Sequence, residues 1–170
     1  MNSSYIYDDS GCNKFDYIYK DKFIFRKTLP NLIEIKIANL LKENTNPNIV
    51  KFYDIRDEHI DMELLETYYT NSKITPFIFT NKKLIKEQME NVKFFLQNLG
   101  IAYIDWKIDN VGFTDGTFKL FDFDMSGIFD LETKEWIIEP ELGFNYKLTK
   151  RQRIKNPIDI DNKCFDNAFL

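Results

Sequence analysis

Hydrophobic and polar positions alternate over the first thirty residues of the chain. The alternation is clearest in residues 15–20 (Phe-Asp-Tyr-Ile-Tyr-Lys) and 22–26 (Lys-Phe-Ile-Phe-Arg), and it breaks at Ser10-Gly11 and again at residues 20–22. A period of two is typical of strands that bury one face. This segment therefore predicts two or three antiparallel strands.

The pattern then changes to a helical period. Asn31 followed by Glu34 is a helix-capping signature. The apolar positions after it share one face and predict a helix over residues 32–43: Ile33, Ile37, Leu40 and Leu41. Two further apolar runs, at residues 49–53 and 59–65, flank a polar turn and predict paired strands. The N-terminal part is thus predicted to be a small sheet that carries one helix.

A second helix is predicted from Asn81 to Gly100, where apolar residues recur every three to four positions and the glycine supplies a stop. Short strands are predicted at residues 102–104, 111–113 and 118–121, with Asp115-Gly116 as a hairpin turn between the last two. Residues 68–80, which include Pro76, show no regular pattern and predict a boundary. After residue 121 no clear period remains.

Composition narrows the class of protein. The chain has 170 residues, 44% of them hydrophobic, which is enough for one packed domain. A net charge of −4 offers no basic field for nucleic acid. The sequence has no apolar run of about 18 residues and no secretory leader, so we expect an intracellular, cytoplasmic protein without membrane contact. With one histidine and two isolated cysteines, carboxylates, lysine and asparagine must carry any chemistry.

Two short acidic segments supply suitable groups. Residues 105–110 (Asp-Trp-Lys-Ile-Asp-Asn) are expected on a loop between strands, and residues 122–124 (Asp-Phe-Asp) follow the hairpin. Phosphoryl transfer needs a carboxylate for the attacking hydroxyl, a cation for the developing charge, and hard oxygen ligands for Mg²⁺. Four residues provide this set in order: Asp105, Lys107, Asn110 and Asp122.

These segments resemble the Asp-x-Lys-x-x-Asn loop and the Asp-Phe-Gly motif of the protein kinase family. Glu34 with residues 46–50 (Asn-Pro-Asn-Ile-Val) is similar to the family's helix-C glutamate and the turn after it. Residues 62–65 (Met-Glu-Leu-Leu) are similar to its gatekeeper and hinge, and residues 25–27 (Phe-Arg-Lys) to its lysine-bearing strand. The resemblance implies an α+β, two-lobed, protein-kinase-like fold in a single domain, 1–170. Residues 1–67 would form a small antiparallel sheet with one helix, and 68–170 a shortened, mainly helical C-lobe. In that lobe residues 159–161 (Asp-Ile-Asp) would begin a buried helix.

The resemblance also implies a role for each matching residue. Asp105 would be the catalytic base, and Lys107 would steady the γ-phosphate of ATP. Asn110 and Asp122 would hold Mg²⁺. Lys27 paired with Glu34 would position the α- and β-phosphates. The adenine would bind main-chain groups of the hinge residues Glu63 and Leu65, and Gly11 would be what is left of the glycine-rich loop.

Some positions depart from the family pattern. Arg26 and Lys27 face opposite sides of a strand, so only one of them can point at the nucleotide. Gly112 stands where the family usually places an apolar side chain under adenine. Asp124 replaces the glycine of Asp-Phe-Gly and is either an additional metal ligand or a capping residue. Tyr103-Ile104 replaces the His-Arg before the catalytic aspartate, so we do not expect switching by phosphorylation.

Three functions follow from this resemblance. The first is an enzyme that transfers the γ-phosphate of Mg-ATP to Ser/Thr hydroxyls of an unidentified protein. The second is a kinase mimic that binds a kinase or its substrate, which fits a chain that ends at Leu170, before the family's later helices. The third is a small-molecule kinase, because an Asp-x-Asp segment such as residues 122–124 is frequent in that class. A composition rich in Asn, Lys, Ile and Phe adds an expected origin in a large DNA virus, with the host cytoplasm as location.

Overall fold

An antiparallel five-stranded sheet forms the N-terminal part of the computed structural model, which describes residues 5–7, 14–19, 22–67, 74–140 and 155–169. The spatial order of its strands is β1-β2-β3-β5-β4. Their bounds are β1 (Tyr5–Tyr7), β2 (Lys14–Tyr19), β3 (Lys22–Thr28), β4 (Phe52–Ile55) and β5 (His59–Glu63). The alternating segments of the sequence therefore form strands as predicted.

Helix α1 (Leu32–Glu43) packs against β4 and has the bounds that the sequence predicts. The Asn31 side chain accepts a hydrogen bond of 2.8 Å from the Glu34 main-chain N–H, which satisfies one of the unpaired donors of the first turn. The buried face comprises Ile33, Glu34, Ile37, Ala38 and Leu41. Most of these residues are apolar at helical spacing, so burial of this face holds the helix on the sheet.

The expectation that residues 68–80 lack regular structure is wrong for their second part. Residues 74–80 form helix α2 (Ile74–Thr80), directly before helix α3 (Lys82–Asn98). Pro76 lies in the first turn of α2, where a missing N–H costs no helical hydrogen bond, so the proline does not break the helix. Ile74 and Ile78 are four residues apart and are both buried. Residues 68–73 lie outside the described part of the chain.

Short strands follow α3. Strand β6 (Ile101–Ala102) joins β9 (Gly127–Phe129) and β10 (Trp136–Ile138) in a sheet of order β10-β9-β6. Strands β7 (Val111–Thr114) and β8 (Thr117–Leu120) form the predicted hairpin. The predicted strand 102–104 ends at Ala102, because Ile104 has a φ of 65° that no strand can accommodate. Neither β9 nor β10 was expected.

Helix α4 (Pro157–Ala168) is the C-terminal element of the described residues. Asn156 caps its first turn and Pro157 stands at the first helical position, where proline is favoured. The helix begins two residues before residues 159–161, where the resemblance implies that a buried helix starts. Its inner face buries Ile160, Asp161, Cys164 and Phe165.

The N-terminal sheet is joined to the rest by direct hydrogen bonds. Glu66 and Phe113 exchange main-chain bonds of 2.9 and 2.8 Å, and Lys119 contacts both carboxylate oxygens of Glu63 at 2.8 Å. The Val50 N–H donates to the Leu120 carbonyl at 2.9 Å. Because residues 48–50 bond to β8, β4 begins only at Phe52. The buried apolar residues of α1, β5, α3 and α4 belong to one core cluster.

Candidate active site

Lys27 of β3 is the centre of a group of carboxylates. Its ammonium lies 2.8 Å from Glu34 Oε1, 2.8 Å from Asp122 Oδ1 and 3.6 Å from Asp124 Oδ2. Arg26, on the other face of β3, instead contacts both carboxylate oxygens of Asp61 at 2.6 and 2.7 Å. The ion pair between Lys27 and Glu34 that the resemblance implies is therefore present, and Lys27 rather than Arg26 faces the acidic segment.

Burial and charge determine the ionisation of this group. Burial alone would lower the pKa of Lys27, but the charges of Asp122, Glu34 and Asp124 outweigh it and raise that pKa. Burial raises the pKa of Glu34, and the contact with Lys27 opposes this rise. The Glu34 side chain is 2% exposed and its Oε2 has no hydrogen-bond partner. Lys27 is thus a fixed cation, and Glu34 is directed to it rather than to its own helix terminus.

The predicted catalytic loop is folded around Asp105. It lies between β6 and a short 3-10 helix (Ile108–Asn110). Lys107 Nζ contacts Asp105 Oδ2 at 2.7 Å, and Asn110 Nδ2 donates to Asp105 Oδ2 and to its main-chain oxygen, both at 3.1 Å. The amide nitrogen of Asn110 is used in this way, so the oxygen is the atom that it offers to a cation.

Asp161 of α4 anchors this loop through hydrogen bonds. Its carboxylate is fully buried and accepts hydrogen bonds from the main-chain N–H groups of Tyr103 (3.1 Å) and Ile104 (3.2 Å). Trp106 Nε1 and Gln97 Nε2 also donate to it, at 2.7 and 2.8 Å. Burial raises the pKa of Asp161, and the donors from Gln97, Trp106 and Ile104 oppose this rise. The anchor holds Ile104 at its positive φ, a conformation that is strained for a β-branched residue.

Sequence reasoning did not predict that Asp161 supports the loop around Asp105. The signal available was local: Asn156 and Pro157 mark a helix start, and Ile160, Cys164 and Phe165 give one apolar face. A carboxylate placed on that apolar face is buried, so it requires donors from elsewhere in the chain.

The segment 122–124 lies between the two groups just described. Asp122 has a φ of 63°, and Phe123 is buried edge-on against Tyr103 with ring centroids 5.3 Å apart. Burial raises the pKa of Tyr103, and so do the charges of Asp122 and Asp105. The charges of Asp122 and Asp105 therefore both act on one buried phenol.

Asp124 is 37% exposed and shares Lys27 with Asp122. Burial, and then the charge of Asp122, raises the pKa of Asp124, while Lys27 lowers it. Three carboxylates, those of Glu34, Asp122 and Asp124, lie within 3.6 Å of one ammonium. The ionised group has two negative charges in excess, which is the charge that one Mg²⁺ would neutralise. The oxygens of Asn110, Asp122 and Asp124 are hard donors, the type of ligand that this ion prefers.

The predicted hinge residues lie where the N-terminal sheet meets the β7–β8 hairpin. Glu63 ends β5, and its carboxylate is held by Lys119. Leu65 is buried against Gly112, where an added Cβ would lie 2.6 Å from Leu65 Cβ. The apolar side chain that the family usually has at this position is thus excluded, and Leu65 occupies its space. Gly11, the predicted phosphate-loop residue, lies outside the described residues.

Among the described residues, one group of three side chains has its metal-ligating atoms within 4.8 Å of one another: Asp54, His59 and Asp61. Both carboxylates already contact a guanidinium, Asp54 that of Arg56 at 2.9 Å and Asp61 that of Arg26. The two arginines therefore balance these carboxylate charges without a metal ion, and we assign no metal to this group. No helix in the described part of the chain is long and apolar enough to cross a membrane.

Comparison with known proteins identifies the fold. The chain is similar to the crystal structure of the Rad53 kinase domain and SCD2, with a TM-score of 0.57 and 16% sequence identity. The similarity covers 74% of this chain and 52% of that chain, so this chain spans about half the length of the kinase chain it matches. In all, 1050 chains of solved structures match. No known family matches the sequence, and no curated protein does. The chain thus has a kinase-like fold.

Proposed function

We propose that this protein is a phosphotransferase that moves the γ-phosphoryl group of Mg-ATP to Ser/Thr hydroxyls of a protein. One observation carries the proposal: Lys27 contacts both Glu34 and Asp122, while Asp105 contacts both Lys107 and Asn110. These two sets of contacts are what phosphoryl transfer requires, a fixed cation for the phosphates and a positioned carboxylate for the acceptor. We propose two lobes, residues 1–67 and 68–170, with the nucleotide between them.

In this proposal the chain's own residues bind and orient the reactants. Lys27, kept charged by its carboxylates, would contact the α- and β-phosphates, and Glu34 would hold its direction. The main-chain carbonyl of Glu63 and N–H of Leu65 would bind adenine. The oxygens of Asn110, Asp122 and Asp124 would hold Mg²⁺, which when bound neutralises charge on the phosphates. Gly11 would belong to the loop over the phosphates.

The transfer step itself requires Asp105 and Lys107. Asp105 would accept the proton of the acceptor hydroxyl as its oxygen bonds to the γ-phosphorus and the bond to the ADP oxygen breaks. Lys107, 2.7 Å from Asp105 Oδ2, would neutralise charge on the transferred group. Asp161, which accepts the main-chain N–H groups of Tyr103 and Ile104, would orient the loop without contacting the reactants.

The site has its ion pairs in place in the unmodified chain. The Lys27–Glu34 pair is formed, and Ile104 stands where the family has the arginine that receives an activating phosphate. We therefore propose activity without phosphorylation of the enzyme. We also propose the cytoplasm as the location of the protein, and an origin in a large DNA virus stays a prediction.

A second function, transfer to the hydroxyl of a small molecule, is favoured by Asp124. Its carboxylate lies beside Asp122 and 3.6 Å from Lys27 rather than capping a helix. This gives the Asp-x-Asp arrangement that resembles small-molecule kinases. Transfer from labelled ATP to a mixture of proteins, and separately to sugars, amino alcohols and aminoglycosides, distinguishes the two acceptor classes.

The decisive variant is Asp105→Asn, with Asp115→Asn at the exposed hairpin turn as matched control. We expect Asp105→Asn to abolish transfer while ATP affinity stays within about threefold, because only the proton acceptor is lost. The control should transfer normally, since asparagine tolerates the positive φ of this turn. Equal transfer by both variants would remove Asp105 from the mechanism. Nucleotide binding without transfer to any acceptor would favour the kinase mimic.

A further inference from the structure

Asn31 makes two side-chain hydrogen bonds in different directions. Its Oδ1 accepts from the Glu34 main-chain N–H at 2.8 Å, which caps α1. Its Nδ2 donates to the main-chain oxygen of Asp124, also at 2.8 Å and 93 residues away in sequence. The two partners fix the orientation of the amide, because an N–H requires the oxygen and a carbonyl requires the nitrogen. A cap alone uses only the first bond.

These bonds close a ring around the candidate site. Lys27 contacts Glu34, the Glu34 N–H donates to Asn31, and Asn31 donates to Asp124. Asp122, two residues before Asp124, accepts a hydrogen bond from Lys27 and so completes the ring. The connection from β3 to α1 has only three residues, 29–31, so the start of the helix stays close to Lys27. Each member of the ring thus limits the movement of its neighbours.

We propose that Asn31 is a positioning residue that ties the start of α1 to the segment 122–124. Through this bond the Asp122 and Asp124 carboxylates keep one position relative to Glu34 and Lys27. The bond also fixes the main chain of Asp124, two residues after Asp122 and its positive φ. The consequence for Mg-ATP rests on the proposed function: without the bond, the metal ligands lose their preorganisation and the affinity falls.

Two variants separate the bond to Asp124 from the cap. Serine is as good a helix cap as asparagine, so Asn31→Ser keeps the bond from Glu34 but cannot reach Asp124. Asn31→Asp also keeps the cap, but it places a carboxylate oxygen where the amide nitrogen was. This oxygen and the Asp124 carbonyl oxygen repel each other. Asn156→Ser is the matched control, because Asn156 caps α4 by accepting from Ile158 and Asp159.

The first measurement is hydrogen exchange in the full chain without ligand. We expect faster exchange of the amides of residues 122–126 in Asn31→Ser, by about threefold to tenfold, the effect of one lost hydrogen bond. The Ser126 N–H donates to the Phe123 carbonyl at 3.2 Å, so the exchange of this protected amide can be measured. Exchange in α3 should not change, and Asn156→Ser should leave residues 122–126 as in the wild type. Unchanged exchange of this segment in both Asn31 variants would overturn the proposal.

The second measurement is the Mg-ATP dissociation constant. It should rise about threefold to tenfold in Asn31→Ser and further in Asn31→Asp, with no change in Asn156→Ser. If the wild type binds no Mg-ATP, the proposed function fails, while hydrogen exchange still decides whether Asn31 positions the segment. Faster exchange with an unchanged dissociation constant would overturn the link between this bond and metal binding.

Discussion

The two halves of the candidate site are held in different ways. The loop around Asp105 rests on a buried carboxylate, Asp161, that accepts main-chain and side-chain N–H groups. The group around Lys27 rests on ion pairs between β3, α1 and the segment 122–124. Each half holds one residue at positive φ, Ile104 in the first and Asp122 in the second.

This difference has a functional consequence. The donors to Asp161 are satisfied within the protein, so the Asp105 half is complete without a ligand. The Lys27 half has an excess of negative charge, and in the proposed function a cation would complete it. We therefore expect substitution of Asp161, the support of the first half, to act mainly on stability, and substitutions in the second half to act on nucleotide and metal binding as well as on stability.

The largest effect is expected from Asp161→Ala. It leaves the N–H groups of Tyr103, Ile104 and Trp106 buried without an acceptor, so the free energy of unfolding should fall by about 4 kcal/mol. Urea unfolding measures this change. Asp166→Ala, on the exposed side of the same helix, is the control and should stay within about 0.5 kcal/mol of the wild type.

If Asp161→Ala does not fold, Trp106→Phe tests the same anchor. It removes one donor and keeps the aromatic packing on Phe165, so we expect a loss of about 1–2 kcal/mol. An Asp161→Ala protein as stable as the Asp166→Ala control would contradict the account of this half.

The next effect concerns the Lys27 half. Lys27→Met leaves Glu34 buried without its cation, which should lower the free energy of unfolding by about 3 kcal/mol. Adding Glu34→Gln removes the uncompensated charge and should restore much of that loss. Neither variant should bind Mg-ATP. Urea unfolding and nucleotide titration separate the two effects.

Arg26→Met is the matched control for this prediction. It breaks an ion pair of the neighbouring residue on the opposite face of β3, so stability should fall while the folded protein still binds Mg-ATP. Mg-ATP binding by the Lys27→Met/Glu34→Gln protein would show that Lys27 does not contact the nucleotide.

The smallest effect is a pH dependence. The pKa of Asp124 is raised in the folded protein, so protonation of this carboxyl favours folding. Its contribution to the free energy of unfolding should grow as the pH falls from 7, through the raised pKa, to the ordinary value of 3.8. Without metal, Asp124→Asn should gain less stability than the wild type over this range, and Asp115→Asn should gain the same. Identical slopes for Asp124→Asn and the wild type would contradict the crowding of charges at Lys27.

Local patterns predicted the parts of the fold that local interactions determine. The bounds of α1 follow from the Asn31 cap and one apolar face, and the β7–β8 hairpin follows from Asp115-Gly116. Helix α2 was missed because Pro76 suggests a break, although a proline in the first turn is compatible with a helix. Strands β9 and β10 have three residues each, too few to show a period.

The candidate site was predictable in its residue types but not in its supports. Strand alternation shows that Arg26 and Lys27 face opposite sides, but only the packing of α1 and of residues 122–124 shows that Lys27 faces the acidic groups. Asp161 reaches Tyr103 across 58 residues and Asn31 reaches Asp124 across 93. Contacts this distant leave no periodic signal in a single sequence.

The central claim, a site that binds Mg-ATP, is tested most directly by thermal unfolding with and without ATP, each with and without Mg²⁺. A ligand at about 100 times its dissociation constant adds about 2.7 kcal/mol, which raises the melting temperature of a chain of this size by about 5–10 °C. The account predicts this rise with ATP and Mg²⁺ together and a smaller one with ATP alone. No rise with either, or the same rise without Mg²⁺, would contradict it.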